Sequence, residues 1–318
     1  MMSCDVSVVL ISYNTIGMIG GALDALALGL DGIDSQIIIV DNCSADGSAE
    51  YLRVSYAQAQ LIENNSNVGF GRANNQVLDL LRGRYVLLLN TDAFIEPDTI
   101  HKTIAYMDQH LDCGVLGVRL VGREGDLQPS CRYFPTPLNV FVVRTGLGRF
   151  FPWVKKVDDM SWDHASVREC DWLPGCYYLI RREVIEQVGL FDPRYFLYCE
   201  EVDHCQRVKQ AGWKVVYYPD TTVVHIGGES AKSVGDLNAA SRQISTLQIE
   251  SELLYFRKHH GLLGLAAHML LVSLADLILA LKALLKGRGW AAIEACWQHA
   301  RVTWALLIDT KLASKPTR

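Results

Sequence analysis

Three apolar runs in the first third of the chain each stop abruptly at polar side chains. They cover residues 6–11, 36–40 and 85–89, and the polar groups that follow are Ser12-Tyr13-Asn14, Asp41-Asn42 and Asn90-Thr91-Asp92. Because continuous apolar runs are typical of strands covered on both faces, the pattern predicts central strands of a mostly parallel sheet. The carboxyl ends of such strands share one edge, where ligands bind, so we expect the polar groups to lie together. Each motif taken singly also allows an ordinary strand-to-loop turn.

Segments with helical spacing alternate with these strands. Helices are predicted over residues 18–30, 45–56, 71–81 and 99–110, and further strands over 61–62 and 115–120. This alternation is typical of βαβ units and predicts an α/β fold in which helices flank the sheet. Later in the chain the pattern predicts a strand at 176–180, helices at 182–188 and 200–211, and extended segments at 214–218 and 222–225.

Residues 122–168 interrupt the alternation with four prolines and many aromatic and basic side chains. A long irregular insertion inside a compact domain is more often functional than idle. We therefore expect it to form a lid or part of a binding surface.

The C-terminal part of the chain has a different pattern. Residues 261–285 are almost continuously apolar, and their polar side chains, which fall within about half of the helix circumference, are His268, Ser273, Asp276 and Lys282. A second helix follows with Trp290, Trp297 and Trp304. The first helix is long enough to span a bilayer, but a carboxylate near its middle would be costly there. We favour a helical pair that lies in the membrane interface; a hairpin packed on the sheet domain and a true span are the alternatives.

Charge supports the interfacial interpretation. The 318-residue chain is half hydrophobic and has a net charge of −5, but residues 253–318 carry +6 and residues 1–252 carry −11. A basic tail binds nucleic acid or anionic lipid, and its apolar neighbour favours lipid, so no nucleic-acid partner is expected. Nine cysteines lack the paired spacing of a zinc site, and the first residues lack a secretory pattern. These features predict reduced thiols and a cytoplasmic location, peripheral at the inner face of the membrane.

The order of the motifs resembles the family-2 nucleotide-sugar glycosyltransferases, particularly their rhamnosyltransferase-like branch. The matching segments are residues 8–14, 40–48, 65–75, 89–92, 172–176, 191–192, 200–203 and 225–228. The resemblance implies a GT-A-type, Rossmann-like domain over residues 1–230, followed by a connecting helix at 231–260. Residues 261–318 would then be an amphipathic, membrane-associating tail.

The resemblance also implies roles for the strand-end residues. Asp92 occupies the last position of the family's Asp-X-Asp motif and would hold Mg²⁺ or Mn²⁺, with His225 as a second metal ligand. Such a cation lowers the barrier to departure of a nucleoside diphosphate. Asp41 would accept the imide N–H of uracil or thymine, with Ser12 and Tyr13 completing the pocket. Asp46, as the cap of the following helix, is the alternative to Asp41.

Asn67, Gly69 and Arg72 precede or begin a predicted helix and are further candidates for donor binding. Glycine allows a ligand to approach the backbone closely at a helix N-terminus, and arginine suits a phosphate. A plain tight turn, with asparagine at a positive φ, is the alternative.

The resemblance assigns the catalytic base to Glu201, where the family usually has aspartate. Two alternatives stay open. Glu200 or Asp203 could be the base instead of Glu201, or the three acids could be present only because acidic residues stabilise the first turn of a helix. Glu200, Trp172 and Gly175 are expected at the acceptor subsite, because an indole face packs well against a sugar; a core tryptophan is the alternative. His204, on the same helix as Glu201, is expected to be solvated.

These assignments predict an inverting glycosyltransferase. Its donor would be a dTDP- or UDP-sugar, with dTDP-rhamnose favoured. Its acceptor would be a saccharide, with a lipid-linked one favoured, in cell-wall or surface-polysaccharide synthesis. Two other hypotheses are a non-catalytic relative that binds a membrane or a partner, and a sugar nucleotidyltransferase. The latter needs a Gly-rich basic loop after the first strand, where this chain has Ser12-Tyr13-Asn14-Thr15-Ile16-Gly17.

Overall fold

The structure is a computed structural model that describes residues 4–226 and 237–318, with side chains described outside 237–245. The Gly227-Gly228 motif and residues 231–236 of the predicted connecting helix lie outside the described residues.

A nine-stranded sheet forms the centre of the molecule. Its strands are β1 (Cys4–Ser12), β2 (Ser35–Asp41), β3 (Gln60–Glu63), β4 (Gly83–Leu89), β5 (Ala93–Ile95), β6 (Cys113–Val121), β7 (Arg168–Glu169), β8 (Tyr177–Arg181) and β9 (Lys214–His225). The spatial order is β3-β2-β1-β4-β8-β6-β9-β5, and β7 pairs with β9. Strands β1 to β4 are mutually parallel, and so are β6 and β9, whereas β5, β7 and β8 run antiparallel to their neighbours.

The apolar runs are buried on both sides of the sheet, as their pattern predicts. Val8 and Leu10 of β1 contribute to one hydrophobic cluster, while Val9 between them contributes to the other. In β4, Leu87 belongs to the same cluster as Val8, and Leu88 belongs to the same cluster as Val9. Successive side chains of a strand point to opposite faces, so a strand covered on both faces is apolar at nearly every position between its ends. Ser7 of β1 is an exception, and its buried hydroxyl donates to Gln36 Oε1 at 2.9 Å.

Helices cover the two faces. One face carries α1 (Ile19–Gly29), α2 (Ser48–Ser55) and α4 (Thr99–Gln109). The other carries α3 (Phe70–Asn75), α6 (Arg182–Val188), α7 (Glu200–Gln210) and parts of α8 (Leu237–Leu285) and α9 (Trp290–Asp309). Within the insertion, α5 (Pro137–Thr145) begins with a capping box between Thr136 and Asn139. The helix predicted over 71–81 is shorter than expected, because α3 ends at Asn75 and only a single 3₁₀ turn follows.

The C-terminal helices bury both apolar residues and the polar side chain of Asp276 against the protein, while many other apolar residues face outwards. Helix α8 is interrupted at Gly261, where φ is 66° and ψ is −167°. Beyond it, Asp276 is 4% exposed and contacts Arg144 of α5 and His299 of α9. The exposed apolar residues on these two helices include Leu263, Leu270, Leu277, Leu281, Leu284, Trp290, Trp297 and Ile308. Among the residues that the structure describes, one helix segment, Thr246–Leu285, is long and apolar enough to cross a membrane.

Candidate active site

The ends of β1 and β2 meet as the sequence predicts, since Ser12 is in register with Asp41. Asp41 is 2% exposed, and its Oδ2 accepts a hydrogen bond from the Ser44 amide at 2.9 Å. Its Oδ1 is buried and has no hydrogen-bond partner among the described residues. A buried carboxylate oxygen without a donor is costly. Asp41 is therefore suited to accept an N–H from a ligand at this edge.

Asp46, the alternative to Asp41, has a local structural role. Its carboxylate accepts hydrogen bonds from the amide and hydroxyl of Ser48, at 3.0 and 2.6 Å, and from the Ile16 amide at 2.9 Å. Burial tends to raise the pKa of Asp46, but these hydrogen bonds outweigh it and lower the pKa. Asp46 thus joins the start of α2 to the loop after β1, where Tyr13 is half-buried.

At the next strand end, Asp92 and His225 face each other. The Nε2 atom of His225 lies 3.5 Å from Asp92 Oδ1, and β5 pairs with β9 so that Ala93 is in register with His225. The amide group of Gln128 fixes the imidazole: its Nε2 donates to the His225 carbonyl at 2.8 Å, which turns its Oε1 towards His225 Nδ1 at 3.0 Å. This arrangement assigns the ring proton to Nδ1, because a carbonyl oxygen only accepts.

The chemistry of this pair fits a metal. Burial lowers the pKa of His225, and the charge of Asp92 only partly opposes this. With its proton on Nδ1, neutral His225 presents the lone pair of Nε2 to a carboxylate oxygen, and two acceptors in contact need a cation or proton between them. The described residues contain no group of three or more His, Cys, Asp or Glu side chains suited to a metal. A cation here would therefore need ligand oxygens in addition to these two side chains.

The loop before α3 is held by hydrogen bonds within the protein. Asn67 Oδ1 accepts from Asn42 Nδ2 at 2.8 Å and from the Gly69 amide at 2.9 Å. Gly69 has φ of 90°, and a Cβ there would lie 2.5 Å from the Phe196 carbonyl oxygen. Arg72 donates to the main-chain oxygens of Pro193 and Arg318, both at 2.7 Å. The donor-binding roles of Asn67, Gly69 and Arg72 stay predictions, and each has a structural role in shaping this edge.

Glu201 is the second residue of α7. The helix begins directly after two residues with left-handed backbone, Tyr198 (φ 73°) and Cys199 (φ 65°). The Oε2 atoms of Glu201 and Glu200 are buried without hydrogen-bond partners among the described residues. Burial raises the pKa of Glu201, while its main-chain amide and the charge of Arg132 oppose the rise. Burial and the charge of Glu201 raise the pKa of Glu200 well above its ordinary value. Because the charge of Glu201 adds to burial at Glu200, the ionised form is disfavoured more at Glu200, which favours Glu201 as the proton acceptor of the two.

Asp203 is engaged elsewhere. Its carboxylate is fully buried and contacts Lys258 Nζ at 2.6 Å, His259 Nε2 at 2.6 Å and Arg207 Nε at 2.9 Å. Burial alone would raise the pKa of Asp203, but the hydrogen bond from His259 and the charges of Lys258 and Arg207 lower it to about 2. A carboxylate with this pKa and these partners is a poor base at neutral pH. The structure thus favours Glu201 over Asp203 for that role.

The expectation that His204 is solvated is wrong. The side chain is fully buried, with Nδ1 2.8 Å from the Tyr178 hydroxyl and Nε2 3.1 Å from the Gly189 carbonyl oxygen. Burial lowers the pKa of His204 to about 3, so the ring is neutral. His204 lies on the side of α7 that faces the sheet. The pattern of neighbouring residues in the sequence did not reveal this placement.

Trp172 is 5% exposed, and its indole N–H donates to the Tyr133 carbonyl at 2.9 Å. The guanidinium of Arg132 lies over its ring, 4.7 Å from the centroid. Gly175 has open space around it, because a Cβ there would meet no atom within 4 Å. The indole therefore packs against the Arg132 guanidinium. Contact of Trp172 or Gly175 with an acceptor sugar stays a prediction.

Comparison with known proteins identifies the family of the chain. The profile of the family described as "Glycosyl transferase family 2" matches residues 7–189, which is more than half of the chain. The chain belongs to glycosyl transferase family 2. The resemblance predicted from the motif order is confirmed.

Two relatives of this family-2 chain are rhamnosyltransferases by name. The N-acetylglucosaminyl-diphospho-decaprenol L-rhamnosyltransferase of Mycobacterium tuberculosis is 30% identical over 208 residues, covering 60% of this chain and 66% of that protein. The rhamnosyltransferase WbbL of Escherichia coli is 27% identical over 173 residues, covering 52% and 63%. The chain thus spans slightly less than two thirds of the length of each relative.

Solved structures show the fold of the family-2 chain. The mannosyltransferase PcManGT from Pyrobaculum calidifontis, in complex with GDP-Man and Mn²⁺, matches with a TM-score of 0.55 at 16% identity, covering 99% of this chain and 90% of that one. Staphylococcus aureus TarS residues 1–349, in complex with UDP-GlcNAc, matches with a TM-score of 0.50 at 14% identity, covering 96% and 91%. The predicted GT-A-like fold, with its C-terminal apolar helix, is confirmed.

Two residues of this family-2 site were absent from the sequence-based prediction. Gln128 orients His225, and Arg132 connects the strand ends to α7 electrostatically. Burial raises the pKa of Cys176 to about 12, a rise that the charge of Asp92 increases and that of Arg132 opposes. The same arginine acts on Glu201. Both residues lie in the insertion at 122–168, whose many basic side chains were the only available signal.

Proposed function

We propose that the protein is an inverting glycosyltransferase that uses a nucleotide-sugar donor and Glu201 as its catalytic base. The observation that carries the proposal is the presence of two groups with polar atoms that lack hydrogen-bond partners among the described residues. Glu201 has an unpartnered carboxylate oxygen and a raised pKa. Asp92 and His225 present two acceptors to one point. A base and a cation site on either side of a reacting centre are what single displacement at a sugar requires.

The reaction proceeds in one displacement. Glu201 accepts the proton of an acceptor hydroxyl while that oxygen forms a bond to the anomeric carbon of the donor sugar. The bond from the anomeric carbon to the diphosphate oxygen breaks on the opposite face, and its electron pair leaves with the nucleoside diphosphate. A raised pKa makes Glu201 a stronger base than an ordinary carboxylate at neutral pH.

Asp92 and His225 would hold a divalent metal ion, Mg²⁺ or Mn²⁺, beside the departing group. When bound, the ion supplies positive charge that neutralises the diphosphate. The contribution of the protein is to fix the two ligands, and Gln128 does so for His225 by setting both its orientation and its tautomer.

For the donor we propose dTDP-rhamnose. The unpartnered Oδ1 of Asp41 supports a pyrimidine base with an imide N–H, which thymine and uracil both have. Rhamnose is supported by the names of the two relatives. Ser12 and Tyr13 would border the base from the end of β1.

For the acceptor we propose a lipid-linked saccharide, used in cell-wall or surface-polysaccharide synthesis at the cytoplasmic face of the membrane. The M. tuberculosis relative is named for such an acceptor, a sugar diphosphate of decaprenol. The outward apolar surface of α8 and α9, with Leu263 87% exposed and Trp290 74% exposed, supports peripheral membrane contact. Trp side chains are favoured at such interfaces, and basic residues favour anionic lipid.

Nucleotide release from three donors tests the reaction. The full chain is incubated with dTDP-rhamnose, UDP-GlcNAc or GDP-mannose in the presence of a polyprenyl-diphosphate-linked N-acetylglucosamine and Mn²⁺. We expect release of dTDP above the other two nucleotides, with loss of activity in EDTA. Absence of release from all three donors, by protein that is folded by circular dichroism, would refute the proposal.

The metal site has its own test. Gln128→Leu removes both hydrogen bonds to His225, so we expect the Mn²⁺ concentration for half-maximal activity to rise by about 10- to 100-fold. Gln109→Leu, an exposed position at the end of α4, is the matched control and should leave it unchanged. Equal metal dependence in the two variants would contradict the assignment of His225.

Membrane contact is tested by flotation with phosphatidylglycerol vesicles. Removing the tail is unsuitable, because α8 and α9 contribute to the main hydrophobic cluster through Leu253, Leu265 and Leu306. Leu277→Asn (60% exposed) is expected to reduce the floated fraction, whereas Leu111→Asn (72% exposed), on the loop after α4, is expected to leave it unchanged. Equal flotation of both variants would argue against contact through α8.

A further inference from the structure

A cavity of about 380 Å³ lies within the insertion. The residues of its wall that matter here are Tyr133, Trp153, Lys155, Lys156, Asp158 and Ser161. Ligand sites in proteins are commonly of this size. No predicted site residue lines it, so the donor and metal positions described above do not account for it.

The free charge of the cavity is positive. Two arginines pair with its two aspartates, Arg132 with Asp158 at 3.2 Å and Arg168 with Asp159 at 3.0 Å. Neither Lys155 nor Lys156 forms an ion pair with any residue that the structure describes. Lys155 Nζ lies 4.6 Å from the centre of the Tyr133 ring, which holds the ammonium group at the cavity wall. Two lysines thus supply uncompensated charge to an anionic ligand.

Two sets of contacts connect the cavity to the rest of the molecule. Val154 of its wall packs against a cluster formed by Phe141 and Val142 of α5 and Ala275 of α8. Asp158, also in the wall, pairs with Arg132, whose charge acts on Glu201. The cavity is thus connected to the apolar helix α8 by packing and to Glu201 through one arginine.

We propose that this cavity binds the diphosphate of a lipid-linked acceptor, with Lys155 and Lys156 as its cationic partners. The proposal rests on the proposed function and deepens it by naming the group of the acceptor that is recognised. A diphosphate diester carries two negative charges between an apolar chain and a sugar. The protein has a group suited to each part of such a ligand: exposed apolar residues on α8 and α9, two lysines in the cavity wall, and Glu201 as the proton acceptor. Charge-assisted hydrogen bonds from lysine are a strong form of phosphate recognition.

A binding experiment tests this without any turnover. Farnesyl diphosphate, below its micellar concentration, is titrated into the full chain by calorimetry, with farnesol and dTDP as comparison ligands. We expect Lys155→Gln/Lys156→Gln to weaken farnesyl diphosphate by at least about tenfold and to leave dTDP unchanged. Lys214→Gln is the matched control, because Lys214 is an exposed lysine at the start of β9 that pairs with Asp112 and does not line the cavity. Equal affinity of wild type and double variant for farnesyl diphosphate would overturn the proposal.

Transfer kinetics distinguish this inference from the function on which it rests. If the proposed function fails, wild-type protein cleaves no donor, while the binding result stands on its own. If only the cavity assignment fails, transfer occurs and the double variant has an unchanged KM for the acceptor. If both proposals hold, we expect the KM of the double variant for the acceptor to rise at least about tenfold, with its KM for the donor unchanged. Flotation with phosphatidylglycerol vesicles separates the sources of phosphate: loss of flotation with intact farnesyl diphosphate binding would assign the lysines to membrane lipid and overturn the proposal.

Discussion

Replacing Asp203 with asparagine tests the network that joins α7 to α8. Asp203 lies two residues after Glu201, and its buried carboxylate contacts Lys258 and His259 of α8 as well as Arg207 of its own helix. Lys258 also reaches Asp192 at 2.7 Å. Asparagine keeps the size of the side chain but removes the charge that compensates these cations. We expect a large loss of stability and a displaced first turn of α7.

The magnitude follows from two estimates. The gap between the ordinary pKa of 3.8 and the folded-state value of about 2 corresponds to roughly 2–3 kcal/mol of stability at neutral pH. Breaking a buried ion pair by removing one partner typically costs about 3–5 kcal/mol, because the other charge stays buried. We therefore expect Asp203→Asn to lower the free energy of unfolding by about 3 kcal/mol.

Urea denaturation, followed by circular dichroism at pH 7, measures this loss. Glu186→Gln is the matched control, since Glu186 also pairs with an arginine four residues away on a helix but is 62% exposed. Exposed pairs of this kind contribute about 0.3–0.5 kcal/mol. If Asp203→Asn were as stable as Glu186→Gln, the reasoning about the network would be refuted.

The same network has a pH dependence. Because the folded-state pKa of Asp203 lies below its ordinary value, its contribution is fully present above about pH 4 and is lost as the pH falls towards 2. The stability difference between wild type and Asp203→Asn should therefore narrow across this window. A difference that stays constant from pH 5 to pH 2 would contradict the assignment of the charge to Asp203.

Two further predictions concern the surroundings of the base. Gly69→Ala should lower the free energy of unfolding by about 1–3 kcal/mol, because a Cβ would press on the Phe196 carbonyl oxygen in addition to straining a positive φ. Gly125 also has a positive φ but has open space around it, so Gly125→Ala has the backbone strain without the collision. It should lower the free energy of unfolding by less than Gly69→Ala; equal losses in urea denaturation would contradict this. Arg132→Leu should move the acidic limb of the kcat/KM profile to higher pH, because its charge opposes the rise in the pKa of Glu201. A shift to lower pH would contradict it.

Local pattern was sufficient for the centre of the fold. The apolar runs that precede Ser12, Asp41 and Asp92 predicted buried parallel strands, and the structure pairs these strands in parallel register. The spacing of apolar residues and the ends of strands depend on neighbouring residues, so both can be recognised directly in the sequence. The order of such motifs along the chain was specific enough to predict the family.

Contacts between distant residues were not predictable in the same way. Gln128 and His225 are 97 positions apart, and Asp203 and His259 are 56 apart. His204 was assigned to solvent because a polar residue on an acidic helix usually lies there, but the register of α7 on the sheet buries it. In the tail, helical spacing predicted a polar stripe correctly, whereas only the structure shows that α5 and α9 cover it and leave the apolar side exposed.

The turnover of two adjacent variants tests the role of Glu201 most directly. Burial and the charge of Glu201 raise the pKa of Glu200 and so favour its neutral form, which an amide of the same shape mimics, so Glu200→Gln should keep kcat within about tenfold of wild type. Glu201→Gln removes the proton acceptor and should lower kcat by about 10²- to 10⁴-fold, with the donor KM unchanged. Full turnover by Glu201→Gln, or a larger loss in Glu200→Gln, would contradict the assignment of Glu201 as the catalytic base.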